Sequence, residues 1–269
     1  MSIVESSRFY YHRLRHESGN FSLLKTRDCD GAIVSMHQAG THWLKFMLAS
    51  AMADHYGVPG PAYNHANDII GGNKDPRRYA GVPYIKSSHS IAPLLLRNAA
   101  VLQRVGLPPC VLLIRDIRAS LVSNFRKWQS RYGVSFSEYV RGDPSGHRFN
   151  SDIWWCFRFL NAWGHLVDLA GGRVHIVRYE DLRARPRVEL AAAARHLRMP
   201  LSDACVDAAV NGAGKRAMAK RADPARPPGA INFAEDDPLA TFDATDRDFV
   251  QTRCTRYLRY AFGYDYAAW

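Results

Sequence analysis

Residues 31–57, GAIVSMHQAGTHWLKFMLASAMADHYG, constrain the fold more than any other stretch of the chain. Ala32-Ile33-Val34 is a short β-branched apolar run of the kind that forms a buried strand. A polar turn follows, Met36-His37-Gln38-Ala39-Gly40. Leu44, Met47, Leu48, Ala51 and Met52 then recur on one helical face, and Gly57 marks the stop. Strand, glycine-bearing turn and helix N-terminus together form an anion site, because free backbone N–H groups converge there and the helix dipole favours negative charge. The same pattern also describes an ordinary βα turn in an α/β protein.

The rest of the chain extends that pattern. Residues 82–87 (VPYIKS) predict a second strand, and Cys110-Val111-Leu112-Leu113-Ile114 is a continuous apolar run, as expected of a strand covered on both faces. Residues 174–177 predict another strand. Helical patterns occupy 91–105, 120–128, 153–169, 188–197, 202–210 and 246–260, with Phe9, Tyr10, Tyr11 and Leu14 on a short N-terminal helix against the core. Alternating strands and helices predict a single α/β domain over residues 1–269, with a mostly parallel central sheet, helices on both faces and a P-loop-like core. Ligands of such sheets bind at the carboxyl ends of the strands, where the 36–40 turn, His89 and Arg115 all fall. Residues 58–80 and 212–240, rich in Gly, Pro and polar residues, are expected to be loops that move over the site, and 141–150 another polar loop.

Composition narrows the partners. The net charge of +11 suits nucleic acid, an acidic membrane surface or a polyanionic small molecule, and equally a solvated surface. Lys and Arg are spread through the chain without a nucleic-acid motif, so a nucleic-acid module is the weaker reading. No run of about 20 apolar residues exists to span a membrane. The first residues lack a signal-type apolar segment, so a cytoplasmic location is expected. Cys29, Cys110, Cys156, Cys205 and Cys254 are dispersed, without metal-ligand spacing, and Cys110 and Cys156 are expected as buried thiols.

The turn is not a Walker A loop: Ser35 stands where its first glycine belongs, and Gly40 is followed by Thr41-His42 rather than Lys-Ser/Thr. It resembles the 5′-phosphosulfate loop of the cytosolic-type sulfotransferases, Pro-Lys-Ser-Gly-Thr-x-Trp, over His37, Gln38, Ala39, Gly40, Thr41, His42 and Trp43. Gly, Thr and Trp match, whereas Pro, Lys and Ser do not, as in a divergent, bacterial-like member. A second signature of that family, an Arg after a buried strand and a Ser eight residues on, is matched by Arg115 and Ser123. Tyr179-Glu180-Asp181-Leu182 is a third, with a largely architectural role. Arg226-Pro227-Pro228-Gly229 is similar to the family's Arg-x-Gly segment, and Lys215 lies in a stretch similar to its adenine-side segment.

The resemblance implies transfer of the sulfuryl group from 3′-phosphoadenosine 5′-phosphosulfate (PAPS) to a small-molecule, glycan or peptide acceptor hydroxyl or amine, leaving 3′-phosphoadenosine 5′-phosphate (PAP), without a metal. Arg115, Ser123, Arg226 and Gly229 would hold the 3′-phosphate. Arg115 could instead form an ion pair with Asp181 or Asp116, and Trp43 could face the adenine or simply pack helix on sheet. His89, in Lys86-Ser87-Ser88-His89, is the counterpart of the family's general base, although a lone His at a strand end is more often structural. Trp154, Trp155, Phe157 and Phe159 fit core or acceptor pocket. Gln38 is neutral where the family carries a Lys on the leaving phosphate, so Lys86, Arg118 or Lys45 is expected to compensate. Otherwise the chain is a nucleotide-binding relative with little activity.

Overall fold

A computed structural model describes residues 3–18, 28–224 and 237–269. Its centre is a five-stranded sheet of order β2-β3-β1-β4-β5, in which every pairing is parallel. The strands are β1 Gly31–Ser35, β2 Ile70–Gly72, β3 Ile85–Ser88, β4 Cys110–Ile114 and β5 Val174–Arg178. All residues of β1 and β4 are buried, as the apolar runs Ala32–Val34 and Cys110–Ile114 require. The chain enters the sheet at β1, builds β2 and β3 to one side, then crosses to β4 and β5 on the other. This reversal at β1 opens a crevice at the carboxyl ends of β3, β1 and β4.

The helices are α1 Ile3–Ser18, α2 Thr41–Tyr56, α3 Ala99–Val105, α4 Ile117–Tyr132, α5 Phe136–Arg141, α6 Ile153–Ala170, α7 Tyr179–Ala184, α8 Pro186–His196, α9 Asp203–Gly212, α10 Lys215–Lys220 and α11 Ala244–Tyr257. They cover the sheet in two groups, α2 packing with α8 and α9, and α6 packing with α3, α4 and α11. The α/β architecture with a parallel sheet is as the sequence predicts. Gly57 ends α2 in the left-handed conformation (φ 64°), its N–H donating to Ala53 O.

Several boundaries differ from the sequence expectation for local reasons. The expected helix over 91–105 is divided, because Asn98 stays extended and its side chain accepts from the N–H groups of Ala100 and Val101, starting α3 afresh. The 58–80 stretch contains the edge strand β2, which escapes notice because it is three residues long and two are glycine. Helix α5 follows a capping sequence, Ser135 accepting from the Glu138 N–H. The 212–240 stretch holds α10 at one end and a 3-10 turn, Pro238–Thr241, at the other.

Only Phe9 of the four N-terminal apolar residues is buried, while Tyr10, Tyr11 and Leu14 are exposed. A period of 3.6 residues brings one narrow stripe of α1 inward, and Phe9 fills a gap between Trp154 and Tyr257 (ring centroids 5.3 and 5.2 Å). Buried Glu17 anchors the far end of α1 through a 2.7 Å ion pair to Arg97. Trp154, Phe157 and Phe159 are core, and Trp155 is half-buried against His37. Cys110 and Cys156 are buried, and no two cysteines are bonded. No described helix is long and apolar enough to cross a membrane.

Candidate active site

The β1–α2 turn is built around two residues with positive φ. Gln38 (φ 59°) and Gly40 (φ 87°) fold residues 36–40 so that α2 begins directly at Thr41. Gly40 is required twice over, since an L side chain is strained at its φ and a Cβ there would lie 2.7 Å from the Tyr179 ring. Gly40→Ala should therefore lower stability by about 1–3 kcal/mol. Chemical denaturation measures this, and an unchanged midpoint would contradict the close approach of ring and turn.

Below the turn, Ser35 Oγ is 2.8 Å from Thr41 Oγ1 and 3.2 Å from His89 Nδ1. The same Nδ1 is 2.9 Å from Ser35 O. A carbonyl oxygen only accepts, so Nδ1 carries the proton and donates it, leaving Nε2 of His89 with its lone pair. His89 also stacks on His37 at 4.3 Å. Burial, and then the Lys127 and Lys45 charges, lower the His89 pKa against the opposing Ser35 hydrogen bond. Burial with His89 and Lys127 pushes His37 down to about 3, and burial with Lys127 first among the charges pushes His42 down to about 4. His42 and His89 are exposed where they line the crevice, and with all three pKa values lowered the imidazoles are neutral at pH 7.

Arg115 leaves β4 and turns towards the loop. Its Nη1 donates to Gln38 O at 2.9 Å, and its guanidinium lies 4.4 Å from the Tyr179 ring centroid. Asp116 and Asp181, the two carboxylates that sequence neighbourhood offers it, pair with Arg118 and Arg178 instead, at 2.7 and 2.6 Å. Arg115 Nε is buried without a partner. A cation so placed is short of one acceptor, which an anion in the crevice would supply.

These groups open onto one cavity of about 760 Å³. His37, Gln38, Gly40, Thr41, His42, Trp43, His89, Arg115, Ser123 and Lys215 all line it. Ala39 is buried within the turn and offers backbone alone. Lys215 arrives with Ala213 and Gly214, a segment tied to the loop by Trp43 Nε1 donating to Ala213 O at 2.9 Å. Lys86 is not brought to the cavity: it is buried with Nζ 4.9 Å from the Tyr84 ring centroid. Lys45, its pKa lowered by burial to about 8, donates to Asn67, and Arg118 donates to Asp116, Asp265 O and Ala268 O. Neither lines the cavity. Arg226 and Gly229 lie outside the described residues.

The structure adds groups that sequence reasoning passed over. Ala119, Val122, Arg126 and Lys127 join Ser123 on the cavity face of α4, and Lys127 could have been found as the residue one turn beyond Ser123. Arg183 and Tyr179 also line the cavity. Among the described lining residues are five cations (Arg115, Arg126, Lys127, Arg183, Lys215) and no carboxylate. The cavity is built for a polyanion.

No protein-family model and no curated protein sequence matches the chain. Among solved structures, the fold is similar to the crystal structure of mouse sulfotransferase SULT7A1 complexed with PAP, with a TM-score of 0.59, 13% identity and 90% of each chain covered. At that identity the likeness establishes a shared fold.

Proposed function

We propose that this chain moves the sulfuryl group of PAPS to an acceptor hydroxyl or amine. The observation that carries the reading is one cavity at which, among the described residues, His37, Gln38, Gly40 and Thr41 of the turn meet five cations, no carboxylate and an imidazole whose Nε2 keeps its lone pair. The residues present suit the nucleotide: the unpartnered Arg115 Nε and the Ser123 hydroxyl would take the 3′-phosphate, and the turn's backbone would take the 5′-phosphosulfate. Trp43, Tyr179 and the 213–218 segment supply the apolar and aromatic surface for the base.

PAPS brings an activated sulfuryl group whose transfer makes one S–O or S–N bond and breaks the S–O bond to the 5′-phosphate. His89 Nε2 takes the acceptor's proton. The Ser35 carbonyl, already bound to Nδ1–H, steadies the imidazolium that results. Negative charge grows on the leaving phosphate oxygen, where preorganised donors and cations lower the barrier. Gln38 contributes an amide there but no charge. Lys127, one of the cations lining the same cavity as Gln38, would take the place of the family's Lys.

Lys127→Ala should lower kcat about 10²-fold, and Gln38→Lys in that background should recover part of the loss. Turnover equal to wild type in Lys127→Ala would remove Lys127 from the mechanism. The function itself is tested by measuring PAP binding and sulfuryl transfer separately over a panel of alcohols, phenols, sugars, amines and tyrosyl peptides. Transfer supports the proposal. Binding without transfer favours the second reading, a nucleotide-binding relative with little activity, which the neutral Gln38 would explain. Oligonucleotide binding with a steep salt dependence and none of PAP would overturn both.

A further inference from the structure

Away from this cavity, three imidazoles meet where nothing in the proposed reaction uses them. His12 and His16 stand four residues apart on α1, hence on one face of the helix. The loop between α5 and α6 presents His147 to them. One ring nitrogen from each of the three lies within 4.8 Å of the other two. The ring centroids are 5.7 Å apart for His12 and His147 and 5.6 Å for His16 and His147. His12 Nδ1 is buried and has no hydrogen-bond partner, a cost that a structure ordinarily avoids.

We propose that His12, His16 and His147 form a binding site for one divalent late transition-metal ion of the Zn²⁺ class, which clamps the 142–152 loop to α1. Tetrahedral coordination with Zn–N bonds of about 2.0–2.1 Å sets ligand nitrogens about 3.4 Å apart. Small side-chain rotations close the present spacing to that value, and the exposed side of the cluster leaves the fourth position to water. Three neutral imidazoles suit Zn²⁺, Co²⁺, Ni²⁺ and Cu²⁺ and exclude Mg²⁺ and Ca²⁺, which prefer oxygen.

Both halves of the site are held before any ion arrives. Phe9 and Glu17 fix α1 to the body of the protein, bracketing the two histidines. On the loop side the Asp143 carboxylate accepts from the backbone N–H groups of Ser145, His147 and Arg148, which shapes the turn carrying His147. The Arg158 guanidinium beneath Gly146 opposes a cation, but Asp152, Glu17 and Asp143 set their charges against it. Asn150 of the same loop lines the large cavity, so metal binding would steady one part of its wall.

The test uses the untagged full-length chain stripped of metal with a chelator. Titration with Co²⁺ should give the visible absorption of a tetrahedral complex at one equivalent, displaced by Zn²⁺. Loss of a ligand should weaken binding by more than the roughly 10- to 100-fold that loss of a supporting contact costs, so His16→Ala and His147→Ala should each do so. His147 is an exposed loop residue, so its variant should keep the wild-type circular dichroism and separate metal loss from unfolding. Zn²⁺ should also slow hydrogen exchange or proteolysis across 142–152. Absence of a tetrahedral Co²⁺ spectrum, or affinity unchanged in the two variants, would overturn the site. Metal binding that leaves the loop's exchange unaltered would overturn the clamp.

Discussion

Arg115→Ala should weaken PAP binding by about 10²-fold or more, as truncating one partner of a desolvated, charge-assisted contact commonly does. Arg115 does three things at once in the structure: it holds Gln38 O, lies against Tyr179 and lines the cavity, with its buried Nε left without a partner. Arg115→Lys should recover only part of the affinity, because an ammonium is a point charge and cannot reproduce the planar fork that reaches loop and ligand together. Isothermal titration with PAP measures both variants, and circular dichroism separates lost binding from lost structure. Wild-type affinity in a folded Arg115→Ala protein would show that the anion sits elsewhere.

His89→Asn should lower kcat by about 10²- to 10⁴-fold, the usual worth of a positioned base, while PAP affinity stays close to wild type. Asn retains an N–H to donate to Ser35 O but has no group that can take a proton at neutral pH. A parallel fall in PAP affinity with kcat preserved would instead make His89 a binding residue. The pH profile adds a second reading. Burial comes first among the influences on His89 and lowers its pKa from 6.5, as does the Lys127 charge. The imidazole is therefore neutral at pH 7 and becomes protonated only as the pH falls through a value below 6.5, so the acid limb of kcat/KM for the nucleotide lies below 6.5. Removing the Lys127 charge should move that limb upward. An acid limb above 6.5, or one that ignores Lys127, would point to another base.

Individual residues show where sequence reasoning succeeds and where it stops. Gly40 was legible because the strand–turn–helix pattern asks for a glycine there, and Arg115 and Ser123 because their spacing matches a signature of the family that the sequence resembles. Lys86 was misplaced by the same logic: being near His89 in sequence does not put it on the same side of β3, and alternation in a strand sends neighbours to opposite faces. Lys127 was missed because a surface Lys on a helix has no local signature, and its relevance depends on which face of α4 meets the cavity. His12 and His16 display their spacing in the sequence, but His147 lies 131 residues beyond His16 and only folding joins them.

The sequence by itself determined the elements and their class. Apolar period 2 or 3.6, β-branched runs and glycine punctuation are consequences of backbone geometry that act over a few residues. They were enough for a parallel α/β sheet with a tight turn between β1 and the helix after it. Strand order, the face each helix presents, the partner of each charge and the tautomer of His89 were decided by tertiary structure, because they depend on contacts between residues far apart in the chain. The sequence therefore supplied the turn at residues 36–41 with the neutral Gln38 in it, and the fold brought Lys127 to the cavity that Gln38 lines.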